Sequence, residues 1–145
     1  MSSDDRITTK IIETDIWFAN QGLSPVQNPT NDEAIFNGSS YHAQQATEKC
    51  IKIILRYYYE EDDTTRRFRT HEIPRLLQYL NECATPEKPI PITIPDIIYE
   101  MAIEITSWET RMRYNIDYSL LRERVKIVVD ACEQMVKELK NQGFE

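Results

Sequence analysis

The chain has 145 residues, 41% of them hydrophobic, with 17 Lys and Arg against 24 Asp and Glu and a formal net charge of -7. That length can bury one sizeable core but not two, so a single domain over residues 1–145 is expected, and the acidic balance excludes a protein that coats nucleic acid nonspecifically. Only 3 glycines, with periodic segments rich in Leu, Ile, Glu, Lys, Arg and Gln, favour an all-α fold over a turn-rich β architecture.

In chain order, a first helix is predicted over Asp4–Asn20. Ile7, Ile11, Thr14 and Phe18 share one face, Ile12, Ile16 and Ala19 lie beside it, and Gly22, Ser24 and Pro25 follow as a stop. Trp17, a large aromatic near the helix end, is expected in the core. Thr30 and Glu33 have the spacing of a capping box, so a second helix should begin there. Asn37, Gly38, Ser39 and Ser40 are poor helix formers that predict either a kink or a close neighbour. The stretch Tyr41–Tyr59 then reads as the long central helix. Ala43, Ala46, Cys50, Ile53 and Tyr57 form one apolar stripe, and Ile51, Ile54, Leu55 and Tyr58 a second, so two packing partners are expected. Glu48, Lys49, Lys52 and Arg56 mark the side left for solvent or a ligand.

Glu60, Glu61, Asp62 and Asp63 oppose the macrodipole at the end of that helix and help to terminate it; consecutive acids splay into solvent rather than converge on a metal. A third helix is predicted over Thr70–Asn81, carrying Ile73, Leu76, Leu77 and Leu80 inward and tolerating Pro74 in its first turn. Cys83–Pro95 holds four prolines and reads as a connection, not a strand. A fourth helix over Pro95–Tyr114 carries Ile98, Met101, Ile105, Trp108 and Met112. A fifth carries Leu121, Val125, Val128, Cys132, Met135 and Leu139 and stops at Gly143. These two should pack lengthwise as antiparallel neighbours. Their side stripes, Ile97 and Ala102 with Ile127, Val129 and Val136, exceed the need of one seam and predict cover by a second copy.

Cys50, Cys83 and Cys132 are odd in number and dispersed, so neither a disulfide framework nor a zinc cage is expected, and two histidines with splayed acids supply no metal ligand set. No cofactor is implied. No apolar run approaches the roughly 18 residues that span a bilayer, and MSSDDRITTK lacks a basic start before an apolar run, so no membrane association and a cytoplasmic location are expected.

Gln45, Glu48 and Lys49, then Thr70, His71, Glu72 and Ile73, then Arg113 and Tyr114 follow in order. The pattern Gln-x-x-Glu-Lys, Thr-His-Glu-Ile, Arg-Tyr resembles that of the HEPN family, the higher-eukaryote and prokaryote nucleotide-binding domains, and covers roughly the whole chain. The resemblance implies a single up-and-down bundle of about five helices, similar to the substrate-binding subunits of nucleotidyltransferases. It further implies a homodimer with two Arg113 junctions at one shared cleft, a nucleotidyltransferase-like protein partner in a two-component or toxin–antitoxin system, and a nucleotide or RNA as ligand. The family includes RNases, nucleotide binders and inactive scaffolds.

The HEPN RNases carry an Arg, four to six further residues, and a His in the junction before the last helix. This chain reads Arg113-Tyr-Asn-Ile-Asp-Tyr118, with Tyr118 where the shortest spacing would place the His, and no His follows His71. A phenol with a pKa of about 10 exchanges protons poorly near neutrality, which argues against a nuclease. Arg111 and Arg113 remain candidates for phosphate contacts, and Tyr114 or Tyr118 for stacking a base. The alternative is structural, an Arg that satisfies helix-end carbonyls or pairs with Asp117 or Glu123. Arg66, Arg69 and His71 are secondary candidates, with Thr70-His71 read as a capping arrangement. His42 has no Asp or Cys at helical reach in sequence, so catalysis by it would rest on a distant partner. The expected function is a nucleotide- or RNA-binding module. The alternatives are a metal-independent endoribonuclease toxin and a non-catalytic structural adaptor.

Overall fold

Two apolar stripes on one helix demand two packing partners, and that requirement sets the architecture. The computed structural model describes residues 7–23, 29–61, 68–108 and 118–145, with side chains over 7–23, 38–61, 68–108 and 122–145. Six helices lie in these ranges: α1 (Thr9–Leu23), α2 (Pro29–Tyr57), α3 (Ile73–Cys83), α4 (Asp96–Glu100), α5 (Ala102–Ser107) and α6 (Tyr118–Asn141). No strand occurs among the described residues. α2 runs through the middle, against α1 and α6 on one side and α3 and α5 on the other. Its residues Ala43, Ala46, Cys50, Ile51, Ile53, Ile54 and Leu55 are all buried, so both predicted stripes are used as far as Leu55, whereas Tyr57 at the end of the first is exposed and Tyr58 only partly buried.

The expected all-α bundle is observed, with local corrections. α1 begins at Thr9 rather than Asp4, because Thr8 caps it: the Ile11 N–H donates to Thr8 Oγ1 at 3.2 Å. It buries Ile12, Ile16 and Ala19 together with Thr9, Asp15 and Gly22. The other predicted face turns outward, with Ile11 and Phe18 exposed, and Trp17 is 56% exposed rather than in the core. The small Ala19 lets α1 approach α2 closely, and Ser39 Oγ donates across to the Ala19 carbonyl at 2.5 Å.

α2 is a single helix from Pro29 to Tyr57, so Asn37–Ser40 form no break. Of the two alternatives for that segment, the close neighbour is found: α1 meets it at Ser39, while at Gly38 itself no group from outside the helix lies within 4 Å of where a Cβ would stand. α2 ends on Glu60 in the left-handed region at φ 59°, where the Glu61 N–H donates to the Leu55 carbonyl at 2.9 Å. α6 ends in the same way on Gly143 at φ 91°, with the Phe144 N–H donating to the Leu139 carbonyl at 3.0 Å. Here the residue in that region is a glycine, at the predicted stop.

α3 begins at Ile73, three residues later than predicted, because Thr70 Oγ1 accepts from the Glu72 N–H at 3.2 Å and holds the chain in a turn. The fourth predicted helix is divided at Met101 (φ -101°, ψ 8°) into α4 and α5. Its hydrogen bonds continue across, Met101 N–H to the Ile97 carbonyl and Ile105 N–H to the Met101 carbonyl, so the division is a one-residue distortion. α5 ends at Ser107, short of the predicted Tyr114, with 109–117 outside the described residues. α6 buries Val125, Val128, Cys132, Met135 and Leu139 as predicted; it meets the α4–α5 segment antiparallel, with the Thr93 N–H on Glu138 Oε1 at one end and Arg124 on Glu104 at the other, and packs more extensively against α1 and α2. That placement buries Val129 and Val136 within the chain, and Ala102 is buried too, so most of the predicted apolar excess is consumed internally.

Candidate functional site

A carboxylate on the shoulder of a buried helix must be met by donors or remain costly, and Glu48 is met three times. Its oxygens accept from Gln44 Nε2 at 3.1 Å, from Lys52 Nζ at 3.0 Å, and from His71 Nδ1 at 3.0 and 3.1 Å. Glu48 and Lys52, predicted on the open side of α2, have side chains only 7% and 9% exposed. Lys52 is covered by Phe68, whose ring centroid lies 5.3 Å from its Nζ, and the Arg56 guanidinium approaches the same ring at 5.1 Å.

His71 is 58% exposed, so this ion-pair cluster is buried at its base and open at its tip. Gln44 and Lys52 can only donate to Glu48 through the named groups, which keeps the carboxylate an acceptor and puts a proton on His71 Nδ1. Nε2 is then the ring nitrogen left for a ligand, an acceptor in the neutral ring and a donor in the imidazolium. Thr70 and His71 therefore do not cap α3 as a unit: Thr70 closes the turn, and His71 is recruited sideways to α2. The first N–H of α3, that of Ile73, is instead capped by Thr106 Oγ1 of α5 at 2.9 Å. The chain thus enters residues 109–117 from a helix tied directly to the base of His71.

One residue along α2, a second cluster is built on Asp15 of α1. Its Oδ1 lies 2.8 Å from His42 Nδ1 and its Oδ2 accepts from Lys49 Nζ at 2.6 Å. Asp15 is the distant partner that His42 lacked in sequence. Phe18 stacks on the His42 ring, with centroids 5.0 Å apart and planes at 22°. Gln45 extends the Glu48 cluster by donating from Nε2 to Gln44 Oε1 at 2.7 Å.

Arg111, Arg113 and Tyr114 lie outside the described residues, as does Arg66; Tyr118 is the first residue of α6, with its side chain outside them. Arg69 is described and exposed. The described flanks of 109–117 are held together by Glu104 of α5, whose two oxygens each accept from Arg124 Nε of α6 at 2.7 Å. That hydrogen bond, followed by the Coulomb attraction of Glu104, raises the Arg124 pKa. Among the described residues, no group of three or more His, Cys, Asp or Glu is placed to hold a metal ion, and no helix is long and apolar enough to cross a membrane.

The Asp15 cluster left a signal that sequence reasoning passed over: a charged residue on the same stripe as Ile12, Ile16 and Ala19 has to find a buried partner. Glu48 left another, an i,i+4 pair with Lys52 beside two apolar stripes. Neither signal names the histidine on the other side.

No match was found among curated proteins or among solved structures. The HEPN domain profile matches residues 27–142, which takes in all of α2 to α6 and the Glu48–His71 cluster. The chain therefore belongs to the HEPN domain family and is a helical nucleotide- or RNA-related module.

Proposed function

We propose that the protein binds a phosphate-bearing ligand, a nucleotide or RNA, at the open tip of the Glu48–Lys52–His71 cluster, with Arg111 and Arg113 supplying charge from the adjoining junction. The observation that carries this reading is the exposed His71, held by a buried carboxylate so that Nε2 faces outward, at the start of a helix tied to the segment that leads into those arginines. Arginine forks, and an imidazolium donating from Nε2, are suited to phosphate oxygens, and Tyr114 or Tyr118 to a base. In the same reading the protein works as a homodimer beside a nucleotidyltransferase-like partner, as the family resemblance implies.

Calorimetric titration with ribose 5-phosphate, a mononucleotide and a short RNA tests the reading. Binding by the wild type, weakened by His71→Ala and by Arg113→Ala, is the expected result; no binding of any of the three would overturn it. A second reading, the metal-independent endoribonuclease, is favoured by the same carboxylate-oriented imidazole, since Nε2 can accept the proton of a ribose 2′-hydroxyl. Cleavage that persists in EDTA and disappears in His71→Ala would establish it. Cleavage indifferent to His71 would remove it.

A further inference from the structure

Three aromatic rings and a histidine form a contiguous array on the outside of α1 and α2. Trp17 meets Phe18 edge-on at 5.0 Å, Phe18 stacks on His42 at 5.0 Å, and Tyr41 meets His42 edge-on at 5.3 Å. Trp17 and Phe18 are exposed, and His42 and Tyr41 are half-buried. A single exposed aromatic is ordinary, but a run of touching rings left in water forfeits burial that α1 could have gained by turning. α1 instead spends its buried face on Ile12, Asp15, Ile16 and Ala19, and Asp15 fixes the His42 ring under Phe18.

The array does not stand apart from the site. His42, Gln45 and Lys49 recur at steps of three and four along α2, so they share one face, and all three are half-buried on the floor between α1 and the His71 cluster. From His42 to Glu48 the helix rises about 9 Å. Each of those floor residues can present a hydrogen-bond donor, with the Lys49 ammonium also paired to Asp15. Rings that offer flat faces, next to donors that track a line, are what an unpaired nucleotide chain needs: stacking for its bases and contacts for its backbone.

We infer that the Trp17–Phe18–His42 array is a base-stacking subsite that extends the proposed phosphate site along α2, and that its ligand is single-stranded nucleic acid longer than one nucleotide. This inference rests on reading the His71 cluster as a nucleotide- or RNA-binding site.

The protein carries its own reporter, because Trp17 is exposed and Trp108, the other tryptophan, is buried. Titration of the intact chain with a single-stranded adenylate hexamer and with an abasic hexamer of the same backbone is the test. The hexamer is expected to quench Trp17 fluorescence, to lose the quench in Trp17→Phe, and to bind about tenfold more weakly to Trp17→Ala/Phe18→Ala, the effect of losing roughly one stacked base. The abasic chain should bind more weakly than the hexamer and be unaffected by the double variant. Because both side chains are exposed, the variant should retain the wild-type melting temperature, which checks that it has folded.

If both hexamers bind alike and the double variant changes neither, the subsite is refuted while the phosphate site stands. If neither binds, the proposed function itself fails. If the double variant instead turns a wild-type dimer into a monomer with hexamer affinity unmoved, the array belongs to a second copy and the inference is overturned.

Discussion

At the scale of single residues, Glu48 joins stability to function. Glu48→Gln keeps the shape but removes the charge that Lys52 meets in a nearly closed environment, leaving a buried cation without its counter-ion. Loss of one partner of a buried pair costs about 3 kcal/mol or more, so the urea midpoint should fall clearly while the dependence on denaturant stays constant. His71→Ala touches an exposed ring and should cost under about 1 kcal/mol. A variant pair with that contrast separates the buried base of the cluster from its accessible tip. The thiols divide in the same way. Cys50 and Cys132 are fully buried, and the hydrogen bond with Cys132, then burial, hold the Cys50 thiol well above its ordinary range. Cys83 is partly accessible. Titration with a thiol reagent at neutral pH should find one fast cysteine, abolished in Cys83→Ser, and two that react only on unfolding.

At the scale of elements, α2 carries a glycine where it needs none and a side chain where glycine would serve. Gly38 sits in helix with open space around its missing Cβ, so Gly38→Ala should stabilise by about 0.5–1 kcal/mol through the lower entropy of the unfolded chain. Glu60 holds a left-handed conformation at the helix end, so Glu60→Gly should stabilise by about 1 kcal/mol by relieving that conformation and removing a charge that opposes the macrodipole. Thermal melts of the two variants and their combination check both, and the effects should add because the positions are far apart. The same helix shows what was readable. Its two stripes were legible because burial repeats with the helical period, and Gly143 as a stop was legible because glycine tolerates positive φ. The continuity across Asn37–Ser40 was not, since packing against α1 outweighs weak propensities by more than a sequence can reveal. The distortion at Met101 had no marker either, as Tyr99 to Ile103 hold no Gly or Pro.

At the scale of the molecule, the proposed dimer loses part of its original argument and gains a narrower one. Ala102, Val129 and Val136 face the chain's own core, but Ile103 is 80% exposed, and Tyr99 and Ile127 are exposed on the neighbouring α4 and α6. Ile103→Asp should therefore convert a dimer of the 17.1 kDa chain to monomer by light scattering, without lowering its melting temperature at equal folded content by more than the lost association explains. A wild-type monomer at micromolar concentration would remove the dimer. The candidate site was half legible at this scale. Glu48, Lys49 and His71 stood out as a motif in order, whereas the partnership of Asp15 with residues 27 and 34 positions away required the packing of α1 on α2. The outward turn of Trp17 and Phe18 had the same origin, since the face that α1 buries depends on what α2 offers it.

The way α1 lies along α2 also bears on how the chain reaches its native state. α1 ends at Leu23 and α2 begins at Pro29, so their union closes a short loop, and Ser39 to Ala19 with Asp15 to His42 and Lys49 bind the pair near its middle. α6 joins α2 only across most of the sequence, through contacts such as Thr47 Oγ1 to Cys132 Sγ at 3.3 Å. The α1–α2 hairpin should therefore be formed in the transition state and α6 docked after it. In stopped-flow measurements, Ala19→Gly should chiefly slow refolding, and Val128→Ala should chiefly hasten unfolding. The helix that presents the aromatic array to solvent would then also be the one whose docking on α2 starts the assembly of the bundle.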